Sequence, residues 1–346
     1  MKRIVTIALS LLFALSAPFV LAEEEKVVNI LTWAEYIDRD TILSPFEQET
    51  GIRVDYSYFD SNEEMLVKLQ SVGGGTYDIV LASDFIIDIA RGEGLLRKLD
   101  KEKLPNLVNI DPKYQSQIYD PENEYTVPYI AGTPLIIYDP ALVGIEITGY
   151  ESLWDESLRD SVVLIDDARN IIGITLKTLG HSFNTTDPDV LAAAEEKLML
   201  LKPNIRVLDY DRPDRAIVSG EASIGYMFTP GVLWALDDRP DLEVVYPEEG
   251  MGFGIDNLFI PVNAPHPENA HLFLDFLMRP EIAVNIAEIQ GYINCNAAAD
   301  ALLSEEFKSN PVLYIPSDVL GQTEFIQNVG EAQLIYNDIW TRFKQY

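Results

Sequence analysis

The first third of the chain alternates short apolar runs with segments whose apolar residues recur every three or four positions. Short apolar runs predict β-strands, and apolar residues at helical spacing predict helices that cover them. The predicted strands are Val27–Leu31, Ile52–Tyr58 and Tyr77–Ala82, and the predicted helices are Thr41–Glu49, a segment after Ser61 and a segment from Ile86. This alternation of strand and helix predicts a mostly parallel sheet that is covered by helices.

The pattern changes at Pro128–Tyr138, a β-rich run with turn residues at its middle. Such a run suits a connection between two lobes. Beyond it, the predicted strands are Val162–Ile165, Glu221–Met227 and Asp256–Val262, and the predicted helices include Asp189–Leu201, Asn269–Met278, Glu281–Ile289 and Glu324–Phe343. The strand Asp256–Val262 would return the chain to the first lobe. Two α/β lobes joined by short strands predict hinged closure around a cleft.

The N-terminal residues have the pattern of a secretion signal. Lys2 and Arg3 precede the mostly apolar Ile4–Leu15, and Val20-Leu21-Ala22 offers the small or aliphatic residues that a signal peptidase requires. We therefore predict cleavage after Ala22 and a periplasmic mature protein with no stable membrane insertion. The alternative is an uncleaved membrane anchor.

Composition narrows the class of protein further. Cys295 is the only cysteine, so the chain can form no internal disulfide, and we expect this thiol to be buried as a small apolar group. The formal net charge of −31 argues against a nucleic-acid partner and favours a cationic ligand, although solubility alone would also explain it. The chain lacks the common catalytic and phosphate-binding signatures, so we expect a binding protein without cofactor or metal rather than an enzyme.

Candidate binding residues follow the first and third predicted strands. Trp33, Glu35 and Tyr36 come after the first strand, and Ser83 and Phe85 after the third. In an open parallel sheet, ligand crevices lie at the carboxyl ends of the strands. Aromatic faces beside a carboxylate suit a small organic cation, because a positive charge over a ring gains roughly 0.5–2 kcal/mol. The alternatives are a Trp that packs under a loop and a Ser or Asp that caps the next helix.

Further candidates lie later in the chain. Asp166 and Asp167 follow a predicted strand and precede a helix, and we assign Asp166 to the helix cap and Asp167 to the cleft. Asp256 begins the proposed return strand and would face the cleft, unless it only forms a turn beside the neighbouring glycines. Tyr292 follows Gly291, which we expect to end a helix, and it would complete the aromatic box or pack against that helix end.

Taken in order, these motifs resemble the bacterial periplasmic polyamine-binding proteins, the spermidine/putrescine-binding components of ABC importers. The resemblance covers nearly the whole predicted mature chain. It rests on Asn29–Ile37, Glu49-Thr50-Gly51-Ile52, Asp60-Ser61-Asn62-Glu63, Tyr77-Asp78-Ile79-Val80, Val127-Pro128-Tyr129, Leu164–Arg169, Pro247–Gly250, Asp256–Pro261, Phe276–Pro280 and Gly291-Tyr292. Each motif is short, but ten in the family's order are specific.

The resemblance implies a two-lobed flytrap fold of the α/β class with a central ligand cleft, and each lobe is discontinuous in sequence. We assign residues 23–132 plus 256–300 to lobe 1 and residues 133–255 plus 301–346 to lobe 2. The implied ligand-binding residues are Trp33, Glu35, Tyr36, Ser83, Phe85, Asp167, Phe228, Asp256, Tyr292 and Gln327. The implied partners are a polyamine, a membrane permease and its ATPase, and we expect a monomer.

Four positions depart from the family's pattern. Phe85 replaces a Tyr, Phe228 and Gly254 replace Trp residues, and Asn170 replaces a Glu. These changes imply a roomier and less anionic pocket, which would favour either a diamine or a larger ligand. The alternatives to polyamine import are a receptor for another cationic or neutral solute, a sensor or adhesion protein on the same scaffold, and a secreted enzyme.

Overall fold

The computed structural model describes residues 25–34, 36–316, 319 and 322–345. The predicted signal peptide with its cleavage site, and the candidate Glu35, lie outside the described residues. Across the described part of the chain, no helix combines the length and the hydropathy that a membrane crossing requires.

The described residues form two β-sheets, and the strands of both follow the apolar runs of the sequence. The strands are β1 (Val27–Thr32), β2 (Arg53–Tyr58), β3 (Ile79–Ser83), β4 (Thr126–Gly132), β5 (Pro134–Tyr138), β6 (Val162–Leu164), β7 (Ile205–Leu208), β8 (Ile224–Phe228), β9 (Glu243–Val245), β10 (Gly252–Phe259), β11 (Ile293–Asn294) and β12 (Glu324–Phe325). The first sheet has the order β11-β4-β10-β3-β1-β2, with β12 beside β10, and the second has the order β7-β6-β8-β5-β9.

Helices cover both sheets. They are α1 (Ser44–Thr50), α2 (Asn62–Ser71), α3 (Asp84–Gly92), α4 (Ala168–Thr178), α5 (Pro188–Leu201), α6 (Asp214–Val218), α7 (Thr229–Asp238), α8 (Pro267–Leu277), α9 (Pro280–Gln290), α10 (Ala297–Asp300), α11 (Glu305–Lys308) and a C-terminal helix (Gln333–Gln345). The cap residues act as their types predict, because the Ser61 hydroxyl accepts from Glu64 N at 3.2 Å and Gly51 ends α1 with φ of 68°.

The pairing of the strands confirms the α/β class, but both sheets are mixed rather than mostly parallel. Strand β1 pairs in parallel with β2 and β3, and β6 pairs in parallel with β7 and β8. Strand β10 runs antiparallel between β3 and β4, so a late segment of the chain completes the early sheet. The two sheets with their helices form the two-lobed α/β fold that the sequence predicts.

The chain crosses between the sheets at β4–β5 and again at β10, close to the predicted positions, and once more at β12, which was not predicted. Strand β4 of the first sheet is followed, after the single buried Thr133, by β5 of the second. The chain returns through β10, which begins at Gly252 rather than at Asp256. The predicted helix Glu324–Phe343 is wrong at its start, because Glu324–Phe325 pairs with β10 as β12 and the helix begins only at Gln333.

Cys295 is fully buried, as predicted, and packs with apolar residues from three elements of the first sheet region. Burial raises the pKa of its thiol well above the usual value, so the uncharged thiol persists at neutral pH. This cysteine therefore contributes to packing and not to chemistry.

Candidate functional site: a ligand cleft between two sheets

A cleft of about 1220 Å³ lies between the two sheets. This volume exceeds the range of about 300–1000 Å³ that is typical of small-molecule sites in proteins. Every predicted site residue except Glu35 and Gln327 lines it, namely Trp33, Tyr36, Ser83, Phe85, Asp167, Phe228, Asp256 and Tyr292. The sequence therefore identified residues that are far apart in the chain and meet at one cleft.

The wall beside the first sheet is aromatic. The ring of Tyr36 lies 5.1 Å from that of Trp33 and 6.0 Å from that of Tyr292, with both pairs inclined rather than parallel. Trp33 also contacts Phe59, just after β2, edge-on at 4.6 Å, and it is 7 % exposed. It therefore both packs against this segment and lines the cleft. These inclined rings hold one another and present apolar faces to a ligand.

Asp256 is the carboxylate of this wall. It stands opposite Ser83 in the antiparallel pairing of β10 with β3, and the Ser83 hydroxyl donates to Asp256 Oδ1 at 2.8 Å. The Tyr36 hydroxyl donates to Asp256 Oδ2. Burial and the nearby Asp256 raise the pKa of Tyr36 well above its usual value, so this phenol keeps its proton and remains a donor.

The surroundings of Asp256 suit a ligand cation. Burial raises the pKa of Asp256, and the two hydroxyl donors offset only part of this effect. It forms no salt bridge with any residue that the structure describes. A buried carboxylate is costly unless a charge partner accompanies it, so an ammonium group at this point would be stabilised strongly.

Asp167 faces the cleft from the second sheet. It caps α4, and its Oδ1 accepts from the backbone N of Asn170 at 2.8 Å and from the side-chain amide of Asn170 at 3.1 Å. Burial raises the pKa of Asp167, with these bonds acting against the rise. The assignment of Asp166 to the cap is wrong, because Asp166 turns to the surface and pairs with Lys344 at 3.0 Å.

The neighbouring Arg169 links α4 to the segment that follows β12 and to the loop that contains Asn184. It is 3 % exposed, and its guanidinium donates to the backbone oxygen of Gln327 at 2.9 Å and to Asn184 Oδ1 at 3.0 Å. It also lies over the rings of Phe85 at 5.5 Å and Tyr336 at 4.9 Å. Phe85 therefore contacts the guanidinium of Arg169 and also lines the cleft.

Gln327 does not line the cleft. It lines a smaller cavity of about 110 Å³, which it shares with Asp84, Asp88 and Asn328. The register of β12 beside β10 decides this placement, and the sequence carries no local signal for that register. The same cavity borders the cleft at Asp84 and Phe85.

Two aromatic residues of the second sheet complete the lining. The ring of Phe228 lies 6.4 Å from that of Tyr292 and 6.4 Å from that of Tyr210. Sequence reasoning missed Tyr210, which also lines the cleft. It follows β7 by two residues, so the rule that sites form beyond the carboxyl ends of strands would have found it.

The floor of the cleft is formed partly by glycines of the crossing strands. A Cβ atom at Gly132 would lie 2.7 Å from the ring of Tyr292, and a Cβ atom at Gly252 would lie 2.9 Å from that of Phe183. A Cβ atom at Gly254 would meet no atom within 4 Å. The floor of the cleft is therefore open at Gly254.

Comparison with known proteins places the chain in a family. The family described as "Bacterial extracellular solute-binding protein" matches residues 41–314. The spermidine/putrescine-binding periplasmic protein of Salmonella typhimurium is 37% identical over 93% of this chain and 93% of its own length. The protein of the same name from Escherichia coli K12 is 36% identical over the same shares.

A solved structure agrees in fold. The putative spermidine/putrescine ABC transporter from Listeria monocytogenes superimposes with a TM-score of 0.88 at 35% identity, over 93% of this chain and 99% of that chain. This chain belongs to the bacterial extracellular solute-binding protein family.

Proposed function

We propose that this protein is a periplasmic solute receptor that binds a polyamine of the putrescine/spermidine class and delivers it to a membrane permease driven by an ATPase. The observation that carries the proposal is a carboxylate on each wall of one aromatic cleft, Asp256 beside the first sheet and Asp167 beside the second. The names of the relatives from Salmonella typhimurium, Escherichia coli and Listeria monocytogenes support the same ligand class.

The proposed ligand places one ammonium group on Asp256, between the hydroxyls of Tyr36 and Ser83. Its methylene chain lies along the rings of Trp33 and Tyr292, which exclude water from it. A second ammonium group lies at Asp167 on the other wall. Each charge-assisted hydrogen bond would contribute about 1.5–3 kcal/mol, and the separation of the two acids would select the spacing of the amines.

Phe85 and Phe228 would add apolar walls to this site, and Glu35, which lies outside the described residues, would add a further acid. Gln327 keeps no ligand contact in the proposal, because it lines the smaller cavity and not the cleft. The reaction is reversible binding without chemistry on the ligand. The names of the relatives likewise describe binding and transport.

Closure follows from the same geometry. We propose residues 23–132 plus 256–300 as lobe 1 and residues 133–255 plus 301–346 as lobe 2, moving about the crossing strands. The hydroxyl of Thr229 donates to the backbone oxygen of Gly291 at 2.8 Å, which joins α7 to the end of α9. A ligand that touches both walls stabilises the closed state by the difference in its affinity for the closed and open forms.

The remaining parts of the proposal concern delivery of the ligand to the membrane. A cleaved signal sequence would release the chain into the periplasm, and a monomer suffices because the cleft is built within one chain. The closed receptor would dock on the permease. Gene neighbours that encode a permease and an ATPase would support import, and their absence would favour a sensor on the same scaffold.

The open floor at Gly254 favours a second candidate, an amine with a bulkier end group. Such a ligand would place its larger group above Gly254 and still set an ammonium group on Asp256. A guanidino amine such as agmatine is a suitable probe, because it keeps one ammonium and enlarges the other end.

Calorimetric titration of refolded, ligand-stripped protein tests the proposal. The titrants are putrescine, cadaverine, spermidine, spermine and agmatine, and the uncharged diol with the putrescine carbon chain is the control. We expect saturable binding of at least one amine and none of the diol. Folded protein that binds none of the amines would contradict the proposal, and binding of agmatine alone would favour the second candidate.

A further inference from the structure

A third carboxyl group, that of Asp84, borders the cleft from within the protein. Asp84 is the first residue of α3 and is 2% exposed. Its Oδ1 accepts from the backbone N of Phe85 at 2.8 Å, and its Oδ2 accepts from the backbone N of Ile255 at 3.2 Å. No salt bridge joins it to any described residue, so a charge here would have two N–H donors and no ionic partner.

Two reciprocal contacts link the segment of Asp84 to the segment of Asp256. Ser83, which precedes Asp84, donates to Asp256, and Ile255, which precedes Asp256, donates to Asp84. Both residues line the same cleft, and burial and Asp256 both disfavour the anion of Asp84. Two carboxylates in one poorly solvated site repel each other, and one of them then keeps its proton.

The charged and titratable groups around Asp84 come from several elements. Asp256 from β10 disfavours its anion, and Arg169 from α4 favours it. Tyr119 lies in the loop before β4 and keeps its own proton because burial, and then Asp84, raise its pKa. Asp88 lies one turn further along α3 and accepts from the amide of Asn328 at 3.0 Å.

Glu63 on α2 interacts with Asp167 and Arg169. The remaining polar neighbours in the small cavity are uncharged amides. Burial is the largest effect on Asp84 and raises its pKa to about 8, although the two N–H donors and Arg169 act in the opposite direction. Below about pH 8 the uncharged form of Asp84 is therefore favoured in the unliganded cleft, where Asp256 is a second buried carboxyl group.

We propose that Asp84 is a proton-linked group of the ligand site, which releases its proton when an ammonium group binds at Asp256. This inference rests on the proposed function. The O–H bond of the Asp84 carboxyl breaks, its electron pair stays on the carboxylate, and the proton passes to water. The new anion is stabilised by the ligand cation, by Arg169 and by the two N–H donors. The small cavity of about 110 Å³ beside Asp84, whose lining includes the amide residues Gln117 and Asn328, has room for the accepting water.

The linkage has a defined sign. Because binding releases a proton, affinity rises with pH while Asp84 is uncharged in the free protein. Full release gives about a tenfold gain per pH unit below about pH 8, and the gain ends above it. A site whose acids are all ionised before binding would show no such rise at neutral pH.

Calorimetric titration of the native protein with putrescine tests the linkage directly. The titration is repeated at about pH 7 in buffers with different ionisation enthalpies, since the dependence of the heat on buffer counts the protons released. We expect release of between about half and one proton at pH 7, and almost none at about pH 9. Heats that do not depend on buffer would overturn the inference and leave the proposed function intact, whereas absence of binding would overturn the function itself.

Two variants assign the proton to its residue. Asp84→Asn resembles the uncharged acid, so at about pH 7 it should bind putrescine within severalfold of the native affinity and release no proton. Asp88→Asn, on the same helix, should release the same proton as the native chain. Release that persists in Asp84→Asn would overturn the assignment. If this variant fails to fold, the buffer series on the native protein still decides whether a proton is released.

Discussion

Replacement of Asp256 by Asn should separate ligand binding from stability. The substitution keeps the size of the side chain and removes its charge. In the native chain, Asp256 accepts hydrogen bonds from Tyr36 and Ser83 and has no cationic partner among the described residues. In the proposed function the charge of Asp256 serves the ligand rather than the fold, so its removal should affect affinity and stability in opposite directions.

The loss of affinity follows from the burial of the contact. Truncating one partner of a buried, hydrogen-bonded charge pair costs about 2–5 kcal/mol, and Asn retains part of the hydrogen bonding. We expect a loss of about 2–4 kcal/mol, which corresponds to roughly 30- to 1000-fold weaker putrescine binding.

The ligand-free protein should lose no stability. Burial raises the pKa of Asp256 above 3.8, so the folded state binds a proton more tightly than the unfolded chain. The contribution of such an acid to stability falls as pH rises from about 3.8 through the folded pKa, so the ionised side chain is destabilising above that range. Asn has no such dependence, so Asp256→Asn should melt at or above the native temperature.

Thermal melting and calorimetry measure both effects in one preparation. Putrescine at about 100 times its native dissociation constant should add about 2.7 kcal/mol to the native chain and almost nothing to Asp256→Asn. Asp211→Asn is the matched control, because Asp211 lines the cleft but is exposed, and solvent screens its charge. Unchanged affinity in Asp256→Asn, or equal losses in both variants, would refute the reasoning.

Three further predictions concern the frame of the site. Gly132→Ala should destabilise the protein by about 1–3 kcal/mol, because its Cβ would overlap the ring of Tyr292. The control Gly254→Ala should melt within about 2 °C of the native chain, since its Cβ meets no atom. Equal melting temperatures of the two variants would contradict the packing at Gly132. Arg169→Lys should lower the free energy of unfolding in urea by about 1–3 kcal/mol, because a point charge cannot replace the several donors of the guanidinium, and an unchanged urea midpoint would refute this. Because the pKa of Asp84 rises from 3.8 to about 8 on folding, ligand-free stability should fall as pH rises between these values. The difference between the urea midpoints at about pH 5.5 and 8.5 should be smaller in Asp84→Asn than in the native chain. An equal difference in both proteins would exclude Asp84 as the cause.

Local patterns in the sequence were enough to predict the sheets and most of the cleft. Apolar runs specify strands by side-chain burial alone, and parallel strands bring their carboxyl ends to one edge. Trp33, Tyr36 and Ser83 follow such ends, so their meeting required no knowledge of contacts. Asp256 and Tyr292 came from the resemblance and from turn signals, and both line the cleft.

The tertiary structure alone decided the remaining placements. Asp166 and Asp167 are adjacent carboxylates, and only the direction in which the chain leaves β6 turns one to Lys344 and the other to the cleft. The lone strand β12 forms because β10 offers it backbone partners, which moves Gln327 out of the cleft. No local pattern encodes these partners, since they lie far away in sequence.

Asp84 illustrates the division between the two levels. By itself, the sequence predicts a helix that begins after β3 with an acidic residue. Solvent-exposed helices often begin with an acidic residue too, so this pattern does not reveal that Asp84 is buried. The burial of that acid depends on β10, a strand about 170 residues later, which covers Asp84 and sets Asp256 beside it. Residue type is a local property, whereas charge state depends on desolvation and neighbouring charges, and these exist only once the distant strand has packed.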